Sequence, residues 1–213
     1  ISACLVGSEM CIRDRIMTEA MIVTETARSH HNSLCCYHDR FIPGLARLVQ
    51  GIKDHGSHVF GQINHRGALL RRAVLNMEPV GPSDWINPNT GDAVRALRVT
   101  EIHELQGLFV AAARRLWLAG YDGVEIHAGN GYLFQQFFTE RVNQRTDQYG
   151  GSIENRLRLF IDVLKTVSEV FSYDRIGVRL SPYGSFNDIA DSDPLTLFTA
   201  VIDKLNPLGL AYL

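Results

Sequence analysis

The amino-acid sequence predicts an α/β fold built on a parallel sheet, and three observations support it. Short apolar runs alternate with longer segments of helical period along the chain, the pattern of repeated strand–helix units. Each unit runs strand, loop, helix with little room for anything else, which favours a (β/α)8 barrel over a doubly wound sheet. The 213 residues suffice for one substantial core and are too few for two domains of ordinary size. A complete barrel takes about 250 residues and eight strands. The five strands visible here lead us to expect a partial barrel of about five to six βα units, without its first and last strands.

Taken in order, the first strand is expected at Ala20–Thr26. Asp39 is expected to cap a helix in which Phe41, Leu45, Leu48, Val49 and Ile52 recur at three- and four-residue spacing. The second strand is His58–Asn64. Residues 66–99, rich in Pro, Asn, Gly and Arg, are too long for an ordinary connection and read as an irregular functional loop or lid. Thr100 opens a helix with an apolar stripe of Ile102, Leu105, Phe109, Ala112 and Leu116, ended by Gly120. The third strand is Gly123–His127. After a polar insertion, Ser152 caps a helix that turns Ile153, Leu157, Phe160, Ile161, Leu164 and Val167 inward. A fourth strand at Ile176–Leu180, a helix at Asp193–Leu205 and the start of a fifth strand at Gly209–Leu213 complete the pass. No repeat of fixed period is present.

Composition narrows the function classes. Lys and Arg total 21 against 23 Asp and Glu, a near-balance that argues against a dedicated nucleic-acid binder. No apolar run approaches the roughly 20 residues needed to span a bilayer. Cys4, Cys11, Cys35 and Cys36 form no C-x-x-C pair, and a chain of this size needs no disulfide staples, so a reducing cytoplasm is expected. Residues 1–15 lack a basic start and carry Glu9 within the apolar stretch, unlike a signal peptide. His103-Glu104 has Gly107 where a zinc protease motif needs its second histidine, and His30, His31 and His38 lack a ligand geometry. No metal site is expected.

In a barrel the active site lies at the C-terminal ends of the strands. Polar residues stand there: Gln62, Asn64 and His65 after the second strand, His127, Asn130 and Tyr132 after the third, Arg179 and Ser181 at the fourth. The segments GYDGVEIHAGNGYLFQQFF, RVNQRTDQYGGSIENRLRLF and GVRLSPYGSFNDIADSDP, with the earlier MIVTE, DRFIPGLARLV and FGQINHRG, carry a long and specific pattern. Over Ala20 to Leu213 the chain resembles the old yellow enzyme family of NAD(P)H:flavin oxidoreductases, a pattern shared in large part by 2,4-dienoyl-CoA reductases.

The resemblance implies a partial (β/α)8 TIM barrel that binds FMN and takes NAD(P)H as reductant. It implies reduction of an activated C=C bond in a small α,β-unsaturated substrate, with hydride passing from flavin N5 to the β-carbon. His127 and Asn130 match the pair that polarises the substrate carbonyl, where negative charge develops. Tyr132 matches the proton donor to the α-carbon. Gln62, Arg179 and His127 match residues at the flavin, Arg179 at its N1/O2 edge and Gln62 on the pyrimidine side. Ser152, Arg145, Asp147, Glu154 and Arg156 fall in the matched pattern yet read as structural pins. Neither nucleic acid nor a membrane is implied as a partner, and a homo-oligomer stays open for the full-length protein.

The departures lie at the ends and at one site position. Residues 1–19 find no counterpart in the resemblance and are expected to be foreign, leaving 20–213 as the FMN-binding barrel domain. The chain starts with Ile1 and stops at Leu213 in an apolar run, so a partial translation is expected. The absent strands would carry the glycines and arginine that hold the FMN phosphate, and an iron–sulfur segment beyond them stays open. The 213-residue product alone is then expected to be aggregation-prone, flavin-free and inactive. Asn64 stands where several ene-reductases carry a bulky aromatic. Two other readings remain: a non-catalytic truncated barrel, and a phosphate-binding barrel lyase or aldolase, for which the only lysines are Lys53, Lys165 and Lys204, all in expected helices.

Overall fold

A computed structural model describes residues 14–28, 32–70, 72, 76–185 and 189–213. Its strands are β1 (Arg15–Met17), β2 (Met21–Ile22), β3 (His58–Asn64), β4 (Val80–Gly81), β5 (Trp85–Ile86), β6 (Ala93–Ala96), β7 (Gly123–His127) and β8 (Ile176–Arg179). Its longer helices are α1 (Ile42–Lys53), α2 (Val99–Leu118), α3 (Leu133–Phe138), α4 (Ile153–Val167) and α5 (Pro194–Leu205). β1 and β2 lie along the same side of β3, β7 pairs with its other side, and β8 pairs with β7, all in parallel. A bridge from Gly177 to Tyr212 begins the next position in the arc. The expected fold class is thus present, a parallel β/α arc with the third predicted strand at its centre.

Both central strands read as short runs in which nearly every residue is buried, as a sheet covered on both faces requires. The β3 and β7 bounds coincide with those read from the sequence. The first strand does not. Only Met21 and Ile22 pair, because Glu25–Ala27 closes into a 3-10 turn and the chain returns to bond Ile22 on its free side: Ile22 N donates to Leu34 O and Cys36 N to Ile22 O. Arg15–Met17, which the sequence reading did not mark as strand, pairs with the start of β3.

Two other expectations are corrected. Asp39 does not cap α1. His38 Nδ1 accepts from Arg40 N at the head of a 3-10 turn, while Asp39 lies 2.6 Å from Arg115 in an ion pair. Leu48 also leaves the stripe, 43% exposed, whereas Leu45 and Val49 are buried. The supposedly irregular 66–99 segment holds a small three-stranded sheet in the order β4, β6, β5. Arg95 joins it to the next helix, bonding Glu78 at 2.8 Å and both oxygens of Glu101 at 2.9 Å. Glu101 in turn accepts from Arg98 N and so caps α2, which starts one residue before the expected Thr100.

The predicted α2 stripe is wholly buried, and Gly120 ends the helix with φ +89°. On α4, Ser152 Oγ accepts from Asn155 N, and Leu157, Phe160, Leu164 and Val167 are buried as the spacing requires. Ile153 and Ile161 are only partly covered, and Leu159 and Val163 join the core instead. The seam between α2, α3 and α4 is aromatic: Phe109–Phe134, Phe134–Phe160 and Phe160–Phe138 have ring centroids 5.0, 5.4 and 5.3 Å apart. The insertion is pinned as expected. Arg145 chelates Asp147 and donates to Pro82 O and Leu97 O, and buried Arg156 pairs with Asp191 at 2.8 Å. The Glu154–Lys204 pair, at 3.9 Å between exposed side chains, contributes little.

Phe160 touches two rings of that seam and is 1% exposed. Phe160→Ala should lower stability by about 3–5 kcal/mol through lost burial and the cavity left behind. Urea unfolding of the variant reads this directly, and a loss below about 1 kcal/mol would mean the seam is not packed as described.

Candidate active site

Register decides which side chains share the arc's inner face. Gln62, Glu125 and Gly177 are opposed across β3, β7 and β8, and two residues further on His127 stands opposite Arg179. Side chains alternate along a strand, so these two rows point to the same face, with the His127 row at the C-terminal rim. The predicted proximity of His127 and Arg179 is therefore that of paired neighbours. The lower row is closed: Gln62 Nε2 donates to Glu125 Oε1. A Cβ on Gly177 would sit 2.1 Å from the Tyr212 ring, which occupies that space. Beside His127, neither amide atom of fully buried Asn64 has a hydrogen-bond partner among the described residues.

Past β7 the chain turns sharply through Asn130 and Gly131, both in left-handed backbone (φ +55° and +73°). This turn builds the donor pair. Gly129 N donates to His127 Nδ1 at 3.3 Å, which leaves the imidazole proton on Nε2. Ser181 Oγ accepts from Asn130 N and donates to Asn130 Oδ1 at 2.9 Å, so the amide is oriented with its Nδ2 end 3.5 Å from His127 Nε2. Two N–H donors that close together can converge on one acceptor. Burial, together with the positive charges of Arg179 and Arg66, holds His127 down to about 4, so it is a neutral donor at pH 7.

Tyr132 follows at the head of α3. Its ring stands edge-on to His127 with centroids 4.9 Å apart, and Arg66 Nη1 donates to its hydroxyl at 3.0 Å. Thus His127, Asn130 and Tyr132 form one cluster, with Arg179 beside it on β8 and Gln62 one row below. His65, which shares the strand end, turns away: its Nδ1 accepts from Gly67 N, and burial alone lowers it to about 4.

Sequence reading missed three residues of this cluster. Arg66 lies among several loop arginines and nothing local sets it apart. Gln135 and Gln136 are signalled only as two amides inside the apolar run LFQQFF. Both are buried and act as stitches. Gln135 accepts from Gly131 N and donates to Ser181 O; Gln136 accepts from Ala68 N and donates to Arg66 O and Gly131 O. They tie the rim loops of β3, β7 and β8 together.

The lysines lie away from this rim, Lys53 on α1 paired with Asp122 at 2.7 Å, Lys165 on α4 and Lys204 on α5. Cys35 and Cys36 are unbridged. Among the described residues no cluster of ligating side chains could hold a metal, and no helix is long and apolar enough to cross a membrane. His30 and His31 fall outside the described residues.

A parallel β/α arc with two N–H donors at its C-terminal rim, and beside them an arginine without an ion-pair partner among the described residues, has the arrangement of a barrel protein's site face. Residues 13–207 match the model of the NADH:flavin oxidoreductase / NADH oxidase family, and the chain belongs to that family. It is 33% identical over 214 residues to a Leishmania infantum protein named "Probable flavin mononucleotide-dependent alkene reductase", covering 93% of this chain and 59% of that one. The old yellow enzyme homologue from Zymomonas mobilis superposes with a TM-score of 0.89 at 33% identity, over 94% of this chain and 60% of its own. Morphinone reductase in complex with tetrahydroNAD superposes with a TM-score of 0.90 at 31% identity, over 94% and 61%. The chain spans about three fifths of the length of these relatives.

The two depressed histidines set an acid limit. Between pH 6.5 and about 4 the unfolded chain binds protons at His65 and His127 that the folded chain refuses. Stability from keeping both neutral is present above pH 6.5 and lost as pH falls toward 4, on the order of 3 kcal/mol for each. Urea unfolding at a series of pH values should show the decline, and His65→Asn should flatten its share. An unaltered slope in that variant would refute the assignment.

Proposed function

We propose that this chain carries the catalytic rim of an FMN-dependent NAD(P)H oxidoreductase that reduces activated C=C bonds in small α,β-unsaturated carbonyl compounds. The observation that carries the reading is the donor pair, His127 Nε2 and Asn130 Nδ2, 3.5 Å apart, with the imidazole held neutral. Donors preset at the place where charge develops on a carbonyl oxygen lower the barrier without reorganising during the reaction. The alkene-reductase relative and the tetrahydroNAD complex of morphinone reductase support the same substrate and reductant classes. The reading takes residues 20–213 as the flavin-binding domain and a reducing cytoplasm as its setting, which suits the unbridged Cys35 and Cys36.

The residues at the rim fit a flavin. Arg179 is exposed on the inner face and has no ion-pair partner among the described residues, as suits the flavin edge where reduction places negative charge. Gln62 spends its N–H on Glu125 and keeps Oε1 as an acceptor for an imide N–H. FMN held there would supply the hydride. His127 and Asn130 hold the substrate carbonyl and draw charge toward it. Tyr132 stands within ring contact of His127 and supplies the proton for the α-carbon.

In a full-length, flavin-loaded homologue, replacing the residue at the position of either His127 or Asn130 with alanine should slow enone reduction roughly 100-fold, the scale of losing one oxyanion donor. Flavin reduction by the nicotinamide should slow as well, since its carboxamide would meet the same donors. Stopped-flow measurement of each half-reaction separates the two effects. Unchanged enone turnover in both variants would remove the pair from the mechanism.

A further inference from the structure

Arg66 is the one cation among the described residues in contact with the proposed proton donor, and its surroundings are unusual. Its Nη1 donates to Tyr132 Oη at 3.0 Å, and its guanidinium carbon lies 5.0 Å from the ring centroid. Its Nε is buried without a hydrogen-bond partner, and no carboxylate pairs with it among the described residues. An arginine serving only stability would be expected to spend its charge on an acid. This one spends it on a phenol.

The backbone holds Arg66 in that position. Gln136 Nε2 donates to Arg66 O at 3.1 Å and to Gly131 O at 2.8 Å, fixing the Arg66 loop to the turn that leads into Tyr132. Gly67 follows with φ +59°, and a Cβ there would meet Gln136 Oε1 at 2.3 Å. The same amide oxygen accepts from Ala68 N. The distance between the Arg66 and Tyr132 main chains is therefore set by the buried Gln136 side chain together with the main-chain bond from Leu133 N to His65 O at 3.1 Å.

We propose that Arg66 is a positioning residue for Tyr132 in enone reduction, an inference that rests on the function proposed above. A phenol oxygen that accepts from a guanidinium has its own proton left to give elsewhere, here toward the rim shared with His127. In the proposed reaction, addition of hydride at the β-carbon would break the C=C π bond and shift its electron pair toward the carbonyl held by His127 and Asn130. That pair then forms the new α-carbon–hydrogen bond with the proton that leaves Tyr132 Oη. Arg66 faces the oxygen on which the negative charge is left, until water returns the proton.

The test is a double-mutant cycle in the full-length, flavin-loaded protein that contains this chain, using Arg66→Met, Arg66→Lys, Tyr132→Phe and the Arg66→Met/Tyr132→Phe pair. Arg66→Met should lower kcat for enone reduction roughly tenfold to a hundredfold, the scale of one charge-assisted hydrogen bond, with little change in KM. Arg66→Lys, which keeps the charge and most of the stem, should recover part of the loss. The pair should be no slower than Tyr132→Phe alone. The tyrosine Raman doublet of flavin-free protein, taken as a difference against Tyr132→Phe, reads the acceptor state of this phenol without any turnover. It should change in Arg66→Met. Equal losses from Arg66→Met with and without Tyr132, a loss confined to KM, or an unmoved Raman doublet would each overturn the proposal. Full activity in Tyr132→Phe would instead remove the proton-donor reading beneath it, and the proposal with it.

Discussion

The pairing of β7 between β3 and β8 is the constraint on which the rest depends. A strand's side chains alternate with period two, so a slip of one residue would turn His127 toward the helices and bring its neighbours to the rim. Bulk in the two rows below His127 on the same face holds the register. Gly123 admits the Phe60 ring and the Arg175 carbonyl to within 2.3 and 2.5 Å of where a Cβ would stand. Gly177 admits Tyr212, and Gln62 meets Glu125 across the same row. Large partners opposite glycines lock the strands as a key locks in one position, and the polar rim inherits that alignment.

Above the sheet the constraint changes from packing to hydrogen bonding. Three loops leave adjacent strand ends, and loops have no ladder to hold them. Gln135 and Gln136 provide one, with five hydrogen bonds from two buried amides to main-chain groups of all three loops. Buried amides of this kind are costly when half satisfied and rigid when fully satisfied. Their helix is itself anchored by the phenylalanine seam below, so the apolar core and the polar rim are mechanically one unit.

What the sequence revealed follows from the range over which each signal acts. β3, β7, the α2 stripe and the Ser152 cap are local patterns of period or capping, and they were legible. His127, Asn130 and Tyr132 lie within six residues on one turn, so a short motif marks them. The small 66–99 sheet escaped notice because two of its strands have only two residues, too few to show alternation. The first strand was overextended because Val23 and the threonines after it carry strand propensity that the 3-10 turn overrides. Besides the short bonds of Gln135 and Gln136 to Gly131, Arg66, Gln135 and Gln136 find partners 46 to 70 positions away, and nothing near them in sequence records those bonds.

The main-chain bond from Gly129 to His127 has a wider consequence. A histidine free to exchange tautomers relays protons between its two nitrogens. This one would have to surrender a backbone donor to do so, and its low basicity closes the other route, through the imidazolium. The ring is therefore an insulated contact: it can polarise but cannot conduct. On the function proposed above, carbonyl polarisation and proton delivery then fall to different side chains, His127 and Tyr132.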